Sequence, residues 1–485
     1  MPEVAAPAIS SAPGAAASAA GSALFLPLRD LGQKIRAREV SPVALIEESL
    51  DRLERLGPRY NAVVTLMRES ATIEARIAER EIAAGKLRGP LHGIPYGAKD
   101  LLATKGIPTT WGAAPFKDQV FDYDATVIER LRAAGAILVA KLAMVELAGG
   151  MGYNQADAAF TGPGLNPWNT GFWSGGSSSG PGASVAAGLV PFAIGSETSG
   201  SILTPASYCG VTGLRPTYGL VSRHGAMALS WTLDKLGPMA RTADDCAIVL
   251  AAIAGPDPLD ESAVKRGFAY RGKALPAARM RIAVPKGCTE KVQPAVRENF
   301  ERSIEALRAH AEVTRDVEWP DMPWGAAVGG IVNAEGAAAF RDLIESGRVK
   351  ELRCPADRTG GYSALMYPAV DYLHAMRLRR PMKKAVARLF ERFDAVASPG
   401  RATVAYPADR KFEDAYPGVS GGPSLIPAGN LCGLPALCMP NGFGENGLPT
   451  SIALMGPVFS EDALVRLGNA HQTGTDWHGR RPAGA

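Results

Sequence analysis

Two glycine- and serine-rich segments concentrate the groups of this chain that could do chemistry: GGSSSGPG at residues 175–182 and GSETSGS at residues 195–201. Glycine permits positive φ and close backbone approach, so each turn can aim several N–H groups and hydroxyls at one point. Such a point suits a developing negative charge. A Gly/Ser run standing alone is more often a flexible linker. Here an apolar small-residue helix and a strand-like run follow immediately, which places the motif inside a packed core. No lysine follows the glycines at the spacing of a phosphate loop, so nucleotide binding is not expected. No histidine is marked by its surroundings as the base of a Ser-His-Asp triad.

A different base is then needed, and lysine can serve where burial keeps it neutral, because desolvation penalises the ammonium. Lys99 ends the apolar run 93–98, a strand expected to point into the protein, where lysine is unexpected unless paired or functional. The residues alone leave two readings open: an ion pair with Asp100 or another acid, or a general base.

The elements that must position these groups follow from periodicity. Ser41, Pro42 and the apolar spacing after them predict a helix over 41–53, with Ser as cap and Pro in the first turn. A second helix is predicted over 69–84. A helix over 126–133, Gly135 and the apolar run 136–140 read as helix, turn and buried strand. The alternation returns with strands near 281–285, 393–399 and 450–455 and helices over 293–309 and 461–473, so an α/β fold with one central mixed β-sheet covered by helices is expected. Strand-forming segments flank the Gly/Ser centre on both sides, which favours one sheet threaded by the whole chain over two domains. Residues 319–380 mix Trp319, Trp324, Phe340, Tyr362, Tyr367 and Tyr372 with helical stretches. They read equally as a substrate-side lid or as an ordinary helical layer.

Composition bounds the partners. With 46% apolar and 21% charged residues the chain falls in the globular class. A formal charge of +4 over 485 residues, with no basic cluster of five, makes nucleic acid an unexpected partner. The six cysteines are far apart and lack zinc-site spacing, so they read as reduced core thiols, and the six histidines form no ligand pair. No metal or cofactor is expected. Residues 1–25 read as a disordered Ala/Ser/Pro-rich tail without the features of a secretory signal. No stretch is apolar enough to span a bilayer, and the expected location is the cytoplasm, as a monomer or homodimer.

Several separated blocks carry a resemblance to the amidase signature family that runs from about residue 26 to 482. GGSSSGPG and GSETSGS resemble the family's paired Gly/Ser blocks, and Pro205-Ala206 with Gly213-Leu214-Arg215-Pro216-Thr217-Tyr218-Gly219 resembles the run that follows them. Gly93-Ile94-Pro95 through Lys99-Asp100 is similar to the family's GIPxxxKD segment, and Asp234 through Arg241 to its D-x-x-GPMAR block. Residues 428–436 and 476–478 match its closing segment.

The resemblance implies a single amidase domain over 26–485 and amide C–N hydrolysis without a cofactor. Lys99 is then the base, Ser177 a relay serine with a cis peptide bond, and Ser201 the nucleophile that becomes acylated. The backbone N–H groups of Thr198, Ser199, Gly200 and Ser201 form the oxyanion hole, and Gly149, Gly150 and Met151 contact substrate. The implied partner is a small-molecule amide, carbamate (urethane) or ester, with aryl acylamidase and urethanase activities in view. The alternative is a transamidating subunit of a tRNA-dependent amidotransferase. A non-catalytic binding protein on this scaffold is expected to lack one of the three groups, and all three are present. Two departures stand out. Leu203 occupies a position where the family often has arginine, which favours neutral, apolar substrates, and Ser179 and Pro181 replace glycines.

Overall fold

Apolar runs bounded by glycine and proline become strands, and the periodic segments between them become covering helices. The computed structural model describes residues 22–272, 279–423 and 425–485. In chain order the strands are β1 (Val63–Leu66), β2 (Pro95–Lys99), β3 (Ile137–Leu142), β4 (Leu165–Asn166), β5 (Asn169–Trp173), β6 (Phe192–Glu197), β7 (Thr212–Arg215), β8 (Lys235–Ala240), β9 (Met280–Pro285), β10 (Ala311–Val317), β11 (Ala395–Pro399), β12 (Ala436–Phe443) and β13 (Pro449–Met455). Eleven of them form one mixed sheet in the order β1-β3-β2-β6-β8-β7-β12-β13-β11-β9-β10, while β4 and β5 pair separately. The chain therefore threads a single large α/β domain. β2, β3, β6, β8 and β13 are buried along their whole length, as strands covered by helices on both faces must be.

The predicted helices are found with small shifts. The first spans Pro42–Leu56, and Ser41 caps it by accepting a hydrogen bond from the Ala44 N–H. Helices at Thr126–Ala133 and Glu461–Thr473 coincide with the expected spans. Residues 319–380 contain the helices Trp324–Ala339, Arg341–Glu345 and Pro355–Leu365 and the start of Ala369–Phe390. All six cysteines are free and buried.

Most of the tail expected over 1–25 lies outside the described residues. Its last part departs from that expectation, because Ala23–Phe25 forms a 3-10 turn with Leu24 and Phe25 buried. The reason is local: the Phe25 ring lies 4.3 Å from the guanidinium of Arg241 and 4.2 Å from that of Arg481, within cation–π range.

Three junctions position the chemistry. β2 and β6 are parallel neighbours, with Tyr96 and Phe192 stacked at 5.3 Å across them. Their C-terminal ends deliver Lys99 and the loop after Glu197 to the same edge. The 175–178 turn runs into the buried helix Ser179–Ala186. That helix passes so close to β3 that a Cβ on Gly180 would meet the Ala143 nitrogen and the Ala62 oxygen, each at 2.5 Å.

Candidate active site

Lys99 is completely buried at the end of β2. Its Nζ lies 2.7 Å from Ser177 Oγ and 2.8 Å from Ser196 Oγ. The Gly176–Ser177 peptide bond is cis. The turn around it is stitched to its neighbours: the Val145 N–H donates to the Ser177 carbonyl at 3.0 Å, and the Ser178 N–H donates to the Ser201 carbonyl at 3.3 Å. Ser178 Oγ accepts from the Ser196 N–H at 3.3 Å. Ser201 is thus tied to the turn through its backbone. Among the described residues its hydroxyl makes no hydrogen bond, neither to Ser177 nor to another group.

The nearby carboxylates are engaged elsewhere. Asp100 pairs with Lys141 on the adjacent strand β3 at 2.9 Å and also accepts from the Thr110 N–H at 3.0 Å. Glu197 pairs with Arg215 at 2.8 Å and accepts from the N–H groups of Ile202 and Leu203 at 2.9 and 3.0 Å and from Asn430 Nδ2 at 2.8 Å. Asp234 accepts from Thr198 Oγ1 at 2.6 Å and from the N–H groups of Leu229 and Ser230 at 2.9 Å each. Among the described residues none of them forms an ion pair with Lys99. Burial lowers the Lys99 amine to about 7, against the weaker opposing pull of Asp234 and Glu197. Burial also raises Glu197, but Arg215 and Lys235 outweigh it and hold the carboxyl below its ordinary value.

Ser201 faces a cavity of about 360 Å³ shared with Gly149, Tyr153, Gly176, Thr198, Ser199, Thr204 and Arg401. That volume falls at the lower end of small-ligand sites, about 300–1,000 Å³. Trp173, Tyr406 and Phe412 give it an aromatic wall, in which Trp173 stacks on Phe412 at 4.5 Å. Leu229 and Val332 close the other side, so the helix Trp324–Ala339 reaches the cavity through Val332. Among the described residues no acceptor takes the N–H groups of Ser199, Gly200 or Ser201. Gly200 holds φ +93°, a conformation that glycine adopts without strain. A smaller hollow of about 220 Å³ reaches Ser196 and Asp234 from the other side and shares Ala148, Thr198 and Leu229 with the first.

The structure brings Lys99 and Ser177 into contact and sets Ser201, Thr198, Ser199 and Gly149 in one cavity wall. It does not place Gly150 or Met151 there. A Cβ on Gly150 would meet Leu229 Cδ1 at 2.5 Å, and Met151 is buried with its carbonyl against Gly360, so both serve packing between the 146–151 turn and the helices. Leu203 is buried and absent from the lining, so its replacement of arginine does not set the cavity's charge. The cation there is Arg401. Sequence reasoning missed it because a lone arginine after β11 carries no motif. Ser196, by contrast, stood inside the GSETSGS run and could have been paired with Lys99.

A mixed α/β domain that buries a lysine between serine hydroxyls beneath an open cavity defines a class, and comparison gives it a family. The chain belongs to the amidase family, whose model, Amidase, matches residues 44–465. It is 37% identical to one subunit of the glutamyl-tRNA(Gln) amidotransferase of Methylococcus capsulatus, over 94% of this chain and 98% of that protein. The solved peptide amidase from Stenotrophomonas maltophilia superposes with a TM-score of 0.81 at 29% identity, covering 94% of this chain and 97% of that one. The corresponding glutamyl-tRNA(Gln) amidotransferase subunit from Thermotoga maritima gives 0.75 at 27% identity, covering 93% and 95%. Among the described residues no helix is long and apolar enough to cross a membrane, and no group of three or more His, Cys, Asp and Glu side chains is placed to hold a metal ion.

Proposed function

We propose that the protein hydrolyses carboxylic amides through an acyl-enzyme on Ser201. The observation that carries this reading is Lys99: an amine held near 7 by burial, free of ion pairs among the described residues, and within 2.8 Å of two hydroxyls. In the proposed reaction neutral Lys99 takes a proton from Ser177 as Ser177 takes one from Ser201, and Ser201 Oγ attacks the carbonyl carbon. Turning the Ser201 hydroxyl toward Ser177 would complete the relay. The N–H groups of Thr198, Ser199, Gly200 and Ser201 receive the oxyanion. The C–N bond then breaks, and the leaving amine takes the proton back from Lys99 through Ser177. Water, deprotonated along the same path, cleaves the ester and restores Ser201. The aromatic wall supports aryl or apolar amides as substrates, and the same attack extends to carbamates and esters.

A second reading is supported by the relatives at 36–37% identity named as amidotransferase subunits: the acyl-enzyme step would release ammonia within a complex. One experiment separates them. The chain purified alone should release aniline from simple anilides and carry an acyl or sulfonyl label on Ser201 by peptide mass spectrometry, and Ser201→Ala should abolish both while melting like the wild type. Activity that appears only with partner proteins and glutamine would favour the second reading. A label on another residue would overturn the assigned nucleophile.

A further inference from the structure

Arg401 is the one ionised side chain among the described residues lining the Ser201 cavity. It follows β11 directly, and it also borders a second hollow behind Tyr406. Among the described residues no carboxylate lies in ion-pair distance of it, and its Nε is buried without a hydrogen-bond partner. The nearest π-face is that of Tyr208, whose ring centre lies 5.8 Å from the guanidinium carbon. The neighbouring phenols do not neutralise it, because burial pushes the Tyr208 and Tyr153 hydroxyls up, out of reach of physiological ionisation. Arginine does not shed its proton to escape this setting. Arg401 is half-buried, and a cation partly withdrawn from water without a counter-ion is costly, whereas two fully buried cations of the sheet are paired, Arg215 with Glu197 and Lys141 with Asp100.

We propose that the counter-ion arrives with the substrate: Arg401 binds a carboxylate borne by the amide that Ser201 attacks. The preferred substrates are monoanionic amides, with an aryl or apolar body against Trp173 and Phe412 and a carboxylate paired with the guanidinium through two parallel hydrogen bonds. This rests on the hydrolytic reading and replaces the neutral preference that Leu203 had implied. Arg401 is a specificity residue, separate from the groups that move protons.

The test compares isosteres that differ in charge alone. Succinanilate carries a carboxylate where levulinic anilide carries a methyl ketone. Wild-type kcat/KM should favour succinanilate by about tenfold or more, the range of one hydrogen-bonded charge pair. Arg401→Gln should bring that ratio near one, and Arg401→Lys should restore part of it. Calorimetric binding of both compounds to Ser201→Ala protein reads the same preference without chemistry. The proposal therefore stays testable if neither anilide is cleaved, an outcome that would count against the hydrolytic reading instead. A wild-type preference for the ketone, or a binding ratio unchanged by Arg401→Gln and Arg401→Lys, overturns the role of Arg401.

Discussion

Lys99 and Lys141 are two buried lysines on adjacent parallel strands, and the sheet treats them in opposite ways. Both amines are lowered by burial. Lys141 meets Asp100 at 2.9 Å and Thr109 Oγ1 at 2.8 Å, which makes it half of an enclosed ion pair. Lys99 meets two hydroxyls instead, and these accept or return a proton without fixing a charge. Identical side chains one strand apart therefore divide into a cation held by a carboxylate and an amine held by hydroxyls alone. The deciding factor is that Asp100 faces Lys141, while the carboxylates nearest Lys99, Asp234 and Glu197, are engaged by other donors.

The largest effect that can break this contrast is on activity. Lys99→Met should lower kcat/KM by about a thousandfold or more while the melting temperature holds or rises, since a buried amine without a counter-ion is removed. Loss of folding instead would make Lys99 structural. Lys141→Met should do the reverse, with unfolding free energy falling by about 3–5 kcal/mol in denaturant titration because Asp100 is left buried without its cation. The folded fraction should keep the wild-type pH profile.

The pH profile sharpens the comparison further. In the proposed reaction Lys99 works as the free amine, so kcat/KM should rise about tenfold per pH unit below an inflection near 7 and level above it. Stability carries the matching sign. The unfolded chain keeps this proton up to the ordinary value of 10.5 and the folded one releases it above about 7, so stability rises with pH in that window and Lys99→Met flattens the rise. The smallest effect belongs to Ser196→Ala. Removing one acceptor of the ammonium should cut kcat/KM a few-fold and move the inflection slightly below 7, whereas an upward shift would assign Ser196 a different role.

The helices and the α/β alternation were legible because capping and apolar period are local: Ser41 before Pro42, and the full span Glu461–Thr473. Lys99 was legible as a suspect, but its partner was not. Asp100 follows it directly and offered an ion pair, and only the register that sets Ala98 opposite Lys141 shows which lysine the carboxylate serves. Strand order had no sequence signature, because β12 and β13 come from the far end of the chain to sit mid-sheet. The cavity wall was the least readable part. Arg401, Tyr406 and Phe412 lie some two hundred residues after Ser201, and Met151, although next to the cavity in sequence, turns into the helices.

Glu197 fastens the loop carrying Ser201 to Arg215 and, across 233 positions of sequence, to Asn430. A residue late in the chain thereby helps hold a loop made much earlier. A nascent chain that has not yet reached Asn430 already holds both serines and the lysine, but lacks a fastening of their loop. The full fastening of that loop therefore needs the chain through the helix Leu425–Cys432.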